Sequence, residues 1–162
     1  IWATSSLPLR TPHQLVAPGG IGGMGWSTPA ATGAKVTCPE KRVTGVIGDG
    51  GFVMTMDAIA TAAEHNLDVV YVVANNAGLG MVRDNLGNKA IGVDFGDHDF
   101  AKVAEGLGGS GITVTEADQI GEAIREGHRR GGPVVIDIKV DPAASHRDCS
   151  DYDDLPDPSA LK

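Results

Sequence analysis

The chain has 162 residues, 41% hydrophobic, 21% charged and 4% aromatic, with 13 basic against 21 acidic side chains and a net charge of −8. That length predicts one globular domain with a sizeable core, and the 23 glycines and nine prolines are spread between apolar runs, which excludes collagen-like and low-complexity chains. An acidic balance without a Lys or Arg cluster speaks against nucleic acid or an anionic membrane as partner.

No basic segment precedes an apolar one at the start, and no apolar run approaches the roughly 20 residues of a membrane span. The chain is therefore expected to be soluble and cytoplasmic. Cys38 and Cys149 stand far apart, without a Cys-x-x-Cys or a flanking His pattern, so neither a disulfide framework nor a zinc site is expected. Because position 1 is Ile, a processed product or a fragment of a longer protein is expected.

In chain order, Pro8, Pro12 and Pro18 and the run Gly19 to Gly25 predict a loop. Residues 26 to 37 place Ala30, Ala31 and Ala34 on one small-residue helix face, with Pro39 as the stop. Val43 to Ile47 reads as a strand running into Gly48-Asp49-Gly50-Gly51, and Phe52 to His65 as one helix. Val69 to Ala74 is apolar without alternation, as in a parallel strand covered on both faces, and stops at Asn75-Asn76. The stretch from Ala77 to Gly96 is glycine-rich, with a short helix over Leu79 to Leu86. Asp99 to Leu107 predicts a helix started by Asp97 or His98, and Ile112 to Val114 a short strand. Thr115, with Asp118 three residues on, is expected to cap a helix reaching about Arg130, before a buried strand from Val134 to Val140. Residues 141 to 162 hold six Asp against Arg147 and Lys162 and read as an acidic, mobile tail.

Strands alternating with helices predict a doubly wound α/β fold: a mainly parallel sheet, helices on both faces, and ligands at the carboxyl ends of the strands. Asp49 and Asn76 both fall at such ends. One carboxylate, one amide oxygen and a backbone carbonyl after Asn76 suit Mg²⁺, which completes its shell with phosphates and water. Glycines at 48, 50 and 51 allow close backbone approach to a diphosphate, and the following helix offers free N–H groups. Taken singly, Gly-Asp-Gly is a tight turn and Asn-Asn a pair of turn residues.

Together they resemble the thiamine diphosphate motif, a Gly-Asp-Gly separated from an Asn-Asn by about two dozen residues; here the gap is residues 51 to 74. The run Gly-Gly-Ile-Gly-Gly-Met-Gly-Trp-Ser-Thr-Pro-Ala-Ala-Thr-Gly-Ala (19 to 34) and Asn-Asn-Ala-Gly-Leu-Gly-Met-Val-Arg (75 to 83) are similar to the large subunit of acetohydroxyacid (acetolactate) synthase and its close relatives. The resemblance implies that residues 1 to 140 are the C-terminal, diphosphate-binding domain. It implies Mg²⁺ on Asp49, Asn76 and the Gly78 carbonyl, with Gly48, Gly50 and Gly51 at the diphosphate. Met24 would prop the bent cofactor, the Gly22 carbonyl would accept from its aminopyrimidine, and Met81 and Val82 would flank the active site. Asn85 stands where the synthases have a Trp that helps choose the second 2-oxo acid. The His-Gln pair that the family usually carries just before the segment resembling Ile1-Trp2-Ala3 would precede the first residue of this sequence. An activating glutamate would come from the pyrimidine-binding domain of a neighbouring subunit, in a homodimer or homotetramer, so the isolated chain is expected to be inactive.

The implied reaction decarboxylates a 2-oxo acid such as pyruvate and transfers the acyl unit to a second 2-oxo acid, with FAD, if any, bound mainly outside this segment. The alternatives are a non-ligating 2-oxo acid decarboxylase and an inactive regulatory remnant. Gly20 to Gly25 also satisfies Gly-x-Gly-x-x-Gly, but no clear strand precedes it, so a dinucleotide site is not expected. The histidines read as structural: His13 in a loop, His65 and His128 as cations near helix ends, His98 beside the next helix start, and His146 in the tail. Trp2, Trp26, Met54 and Met56 read as packing residues.

Overall fold

The computed structural model describes residues 7–145. The readings placed on Trp2, His146, Cys149 and the tail after Ser145 lie outside the described residues. Within them, α1 (Ser27–Thr37) leads to β1 (Val43–Gly48), α2 (Asp49–Thr55), α3 (Ala58–Glu64), β2 (Val69–Asn75) and α4 (Gly80–Leu86). Then follow α5 (Phe100–Gly106), β3 (Ser110–Val114), α6 (Ile120–Arg130) and β4 (Val134–Lys139).

The four strands form one sheet in the order β1-β2-β4-β3, and each neighbouring pair is parallel. The doubly wound reading holds. One face carries Ala31, Ile47, Phe52, Ile59, Tyr71, Val73, Phe100, Ala104 and Val135, drawn from the sheet and from α1, α2, α3 and α5. The other face packs Val70, Val72, Val114, Val134 and Ile136 against Ala123 of α6. Strands β2 and β4 are buried over most of their length because helices cover both faces, with Asp137 a buried acid within β4.

Four local expectations are corrected. The buried face of α1 is Thr28, Ala31, Thr32 and Lys35 rather than the alanine stripe, because Lys35 Nζ is satisfied by the carbonyls of Pro39 (2.7 Å) and Lys41 (2.8 Å). The helix expected from Phe52 to His65 is split at Met56–Asp57, where Ile59 and Ala60 bond back three residues, to Met56 (3.0 Å) and Asp57 (3.1 Å). Thr115 caps nothing: a 3₁₀ turn, Ala117–Gln119, precedes α6, and its start at Glu116 has no side-chain cap. Asp99, not Asp97 or His98, caps α5, accepting from the Lys102 N–H at 3.0 Å.

His128 differs too. It lies in the last turn of α6, but its Nε2 pairs with Thr44 Oγ1 at 2.9 Å. Burial, and then the charges of Arg42 and Lys35, lower its pKa from the ordinary 6.5, so it is not poised as a cation there.

Candidate functional site

Strands β1 and β2 end side by side, Gly48 opposite Ala74, so Asp49 and the Asn75-Asn76 pair meet at one edge of the sheet. Asp49 is 3% exposed. Its Oδ1 accepts from the Gly50 N–H at 2.7 Å and its Oδ2 from the Gly78 N–H at 2.9 Å. The carboxylate thus bridges the start of α2 to the turn after β2, with a lone pair left on each oxygen. The Gly50 N–H, expected to face a diphosphate, is directed at Asp49 instead.

The turn itself is held from two sides. Residues 93–95 run antiparallel beside it: Leu79 N–H donates to Val93 O (2.7 Å), Phe95 N–H to Ala77 O (2.8 Å), and Gly78 pairs with Asp94. Arg83 of α4 locks that arrangement through Asp94 Oδ1 (2.6 Å) and the Pro142 carbonyl (2.9 Å). From the interior, Asn75 Oδ1 accepts from the Ala77 N–H at 3.3 Å, and Ala77 takes a φ of 53°. Asn76 is half-buried, its amide lies over Gly80, and its side chain makes no hydrogen bond among the described residues. A Cβ on Gly80 would sit 2.6 Å from Asn76 Nδ2, so glycine there leaves the amide its place.

Over Gly50 converge Leu79, Phe95 and Met24; a Cβ there would meet Leu79 Cδ2 at 2.5 Å and Met24 Cε at 3.4 Å. The loop carrying Met24 is fixed on α2, since Thr55 Oγ1 donates to Gly25 O at 3.0 Å and the backbones of Gly25 and Gly51 touch. Met24 remains 53% exposed, Met81 42% and Val82 38%, an apolar rim beside the carboxylate turn. Gly22 stands apart, with φ 62° and nothing within 4 Å of where its Cβ would be. A cleft of about 300 Å³ opens on the other side of the turn, walled by Asn75, Asn76, Ala77, Asp97 and Lys139; Asp49 is not among its walls.

The donors fit a hard cation: one buried carboxylate, one uncommitted amide and a turn carbonyl, the oxygen set that Mg²⁺ takes alongside water and phosphate. Among the described residues no group of three His, Cys, Asp or Glu is arranged to hold a metal. Asp97, His98 and Asp99, adjacent in sequence, serve separately: Asp97 pairs with Lys139 (2.7 Å), the His98 carbonyl accepts from Asn75, and Asp99 caps α5.

The sequence reading did not single out Leu79, Phe95 or Thr55, or Asp137 and Lys139. Asp137 had a signal, being a lone acid inside the apolar run Val134 to Ile138, where an unpaired charge is costly.

Residues 1–138 match the family described as "Thiamine pyrophosphate enzyme, C-terminal TPP binding domain". The "Probable acetolactate synthase large subunit" of Methanococcus aeolicus is 35% identical over 150 residues, which is 90% of this chain and 25% of that protein. The "Acetolactate synthase large subunit" of Corynebacterium glutamicum is 35% identical over 151 residues, covering 86% of this chain and 24% of that one. Among solved structures, "Rhodococcus jostii RHA1 thiamine diphosphate-dependent 4-hydroxybenzoylformate decarboxylase" superposes with a TM-score of 0.69 at 31% identity, over 74% of this chain and 24% of that one. The chain spans about a quarter of the length of the curated relatives it matches. A family match over nearly the whole chain, a parallel sheet, and Asp49 joined to the Asn-Asn turn agree, and the chain belongs to the C-terminal thiamine pyrophosphate-binding domains of thiamine pyrophosphate enzymes.

Proposed function

We propose that this chain binds the diphosphate end of thiamine diphosphate through Mg²⁺ held by Asp49, the Asn76 side chain and the Gly78 carbonyl, in an acetolactate synthase-like enzyme. The observation that carries the reading is the 2.9 Å bond from the Gly78 N–H to Asp49, which brings both halves of the donor set together across β1 and β2. Gly48 and Gly51 line the diphosphate side, and a Cβ on Gly51 would press on Ile47 and Gly25. When bound, thiamine diphosphate supplies the nucleophilic carbon and the electron sink for decarboxylating a 2-oxo acid. This chain's residues hold and orient: Asp49 and Asn76 anchor, Met24 props the bent cofactor from above Gly50, and the Gly22 carbonyl accepts from its amino group. Met81 and Val82 form the apolar rim at which the substrate's side chain is received. The substrate is a small 2-oxo acid, pyruvate by preference, with the acyl unit passed to a second 2-oxo acid. The site is completed by the pyrimidine-binding domain of a neighbouring subunit in a cytoplasmic homo-oligomer, and any FAD sits mainly outside this segment.

A non-ligating decarboxylase is the second reading, favoured by the superposition on a decarboxylase and by Asn85 in the position where the synthases carry a Trp. Product analysis of the complete gene product on pyruvate separates the two: a carboligated hydroxy acid supports the synthase and free aldehyde the decarboxylase. The cofactor assignment is tested by titrating thiamine diphosphate, with and without Mg²⁺, into wild type and Asp49→Ala. The variant should lose Mg²⁺-dependent binding, and wild-type affinity in Asp49→Ala refutes the metal assignment.

A further inference from the structure

Strand β4 carries a polar group that the cofactor reading leaves unused. Asp137 is 0% exposed in the middle of the sheet, yet its carboxylate accepts three donors. They are Asn75 Nδ2 at 2.9 Å, the Phe100 N–H at 3.1 Å and Lys139 Nζ at 3.1 Å. The second proton of Asn75 Nδ2 goes to the His98 carbonyl at 3.0 Å. Both amide protons being committed, the Asn75 side chain has one orientation, with its oxygen toward the Ala77 N–H. Lys139 closes the cluster through Asp97 Oδ1 (2.7 Å) and the His98 carbonyl (2.8 Å). Although burial works against its charge, its bonds to Asp97 and Asp137 hold the Lys139 pKa above the ordinary value.

The chain of contacts runs from the interior to the carboxylate turn. Ala77 sits at a positive φ that an L side chain disfavours, so something must impose it. The Asn75 side chain bonds the Ala77 amide from within, and the next residue, Gly78, donates to Asp49. We propose that Asp137 is a positioning residue for cation binding: by fixing the orientation of Asn75, it imposes the turn that presents Asn76 and Gly78 beside Asp49. The same carboxylate, through Phe100 N–H, sets the start of α5, so loop 93–99 and the turn are registered to one buried acid. This rests on the cofactor reading above for its consequence and on the hydrogen-bond geometry for its mechanism.

The test uses the complete gene product with Asp137→Asn, Asn75→Ala and the double variant, measuring Mg²⁺ affinity at saturating thiamine diphosphate by calorimetry. Asp137→Asn keeps the shape but sets an N–H₂ against donors. Each single variant should weaken Mg²⁺ binding about 10- to 100-fold, as loss of a group that orients a ligand does. The double variant should be no weaker than the worse single, because the two act in one relay. Wild-type Mg²⁺ affinity in either folded single variant, or multiplicative losses in the double, overturns the proposal. If Asp137→Asn does not fold, Asn75→Ala decides alone, since there Asp137 keeps Phe100 and Lys139.

Amide exchange in the cofactor-free protein provides a readout independent of binding. Exchange at Ala77 and Gly78 should speed at least about tenfold in either variant while Val70 to Val73 stay protected. Unchanged exchange at those two amides overturns the relay. Should wild type bind no Mg²⁺ or cofactor, the cofactor reading fails while the relay stands or falls on exchange.

Discussion

Among the described residues Tyr71 is the largest fully buried side chain, and its hydroxyl lies 2.7 Å from Thr32 Oγ1 on α1. The Thr32 proton is donated to the Thr28 carbonyl at 3.0 Å, so the phenol is the donor to Thr32. Burial raises the Tyr71 pKa above the ordinary 10.0. The unfolded chain therefore loses this proton first. The stability associated with it is complete below about pH 10 and is lost as pH rises through the higher folded value. Tyr71→Phe should flatten the alkaline limb of stability measured by denaturant titration between about pH 8 and 11; an unchanged limb would assign the loss to other groups. Asp49 shows the same rule at the site, that a buried polar atom is tolerated where donors meet it: 3% exposure and two N–H partners make its position unambiguous.

Among the elements, close approach is bought with small residues. A Cβ on Gly111 of β3 would collide with the Cα and carbonyl of Ala101, so α5 lies directly on the strand. Because the obstacle is backbone, Gly111→Ala should cost about 1–3 kcal/mol in urea unfolding, and a loss under about 0.5 kcal/mol would show that α5 slides freely. Gly45 of β1 likewise leaves room for Ala31 of α1, 3.0 Å from where its Cβ would be. Helix α6 covers its face with little but Ala123, Ile120 and Ile124, and turns Glu122, Glu126, Arg125, Arg129 and Arg130 outward in exposed ion pairs. Those pairs add little to stability, so the apolar stripe holds it on the sheet. The acidic end begins as a docked segment: Pro142 accepts from Arg83, and Ser145 Oγ donates to Asp84 at 2.7 Å, both on α4.

For the whole molecule, a ligand that binds only the folded state raises stability by mass action, about 2.7 kcal/mol at a hundred times its Kd. Thiamine diphosphate with Mg²⁺ should therefore raise the melting temperature of the complete gene product. Asp49→Ala should abolish the shift, and a shift that survives that substitution would place the cofactor elsewhere. Much of this arrangement is legible in the chain itself. Val43 to Ile47, Val69 to Ala74 and Val134 to Val140 read as strands between helices; only Val69 to Ala74 is apolar without alternation, as in a parallel strand covered on both faces, while β1 leaves Thr44 and Val46 exposed. Asp49 and Asn76 follow two such strands with one helical stretch between, so their meeting at one sheet edge follows from local pattern and the short connections of the fold. Boundaries set by backbone hydrogen bonds were not legible, as at Met56–Asp57, where the residues stay helical in φ and ψ and only the bonding tightens. Nor were the contacts between distant segments. Asn75 and Asp137 are 62 residues apart, Lys139 and Asp97 are 42 apart, and they meet because β4 lies next to β2 while β3 lies outside it. The sequence by itself determined the strands, the glycine turn and the polar residues that follow the strands, because periodicity and turn chemistry are local. Only the tertiary structure decided which buried polar groups satisfy one another, because that depends on strand order, and strand order is a property of the packed sheet.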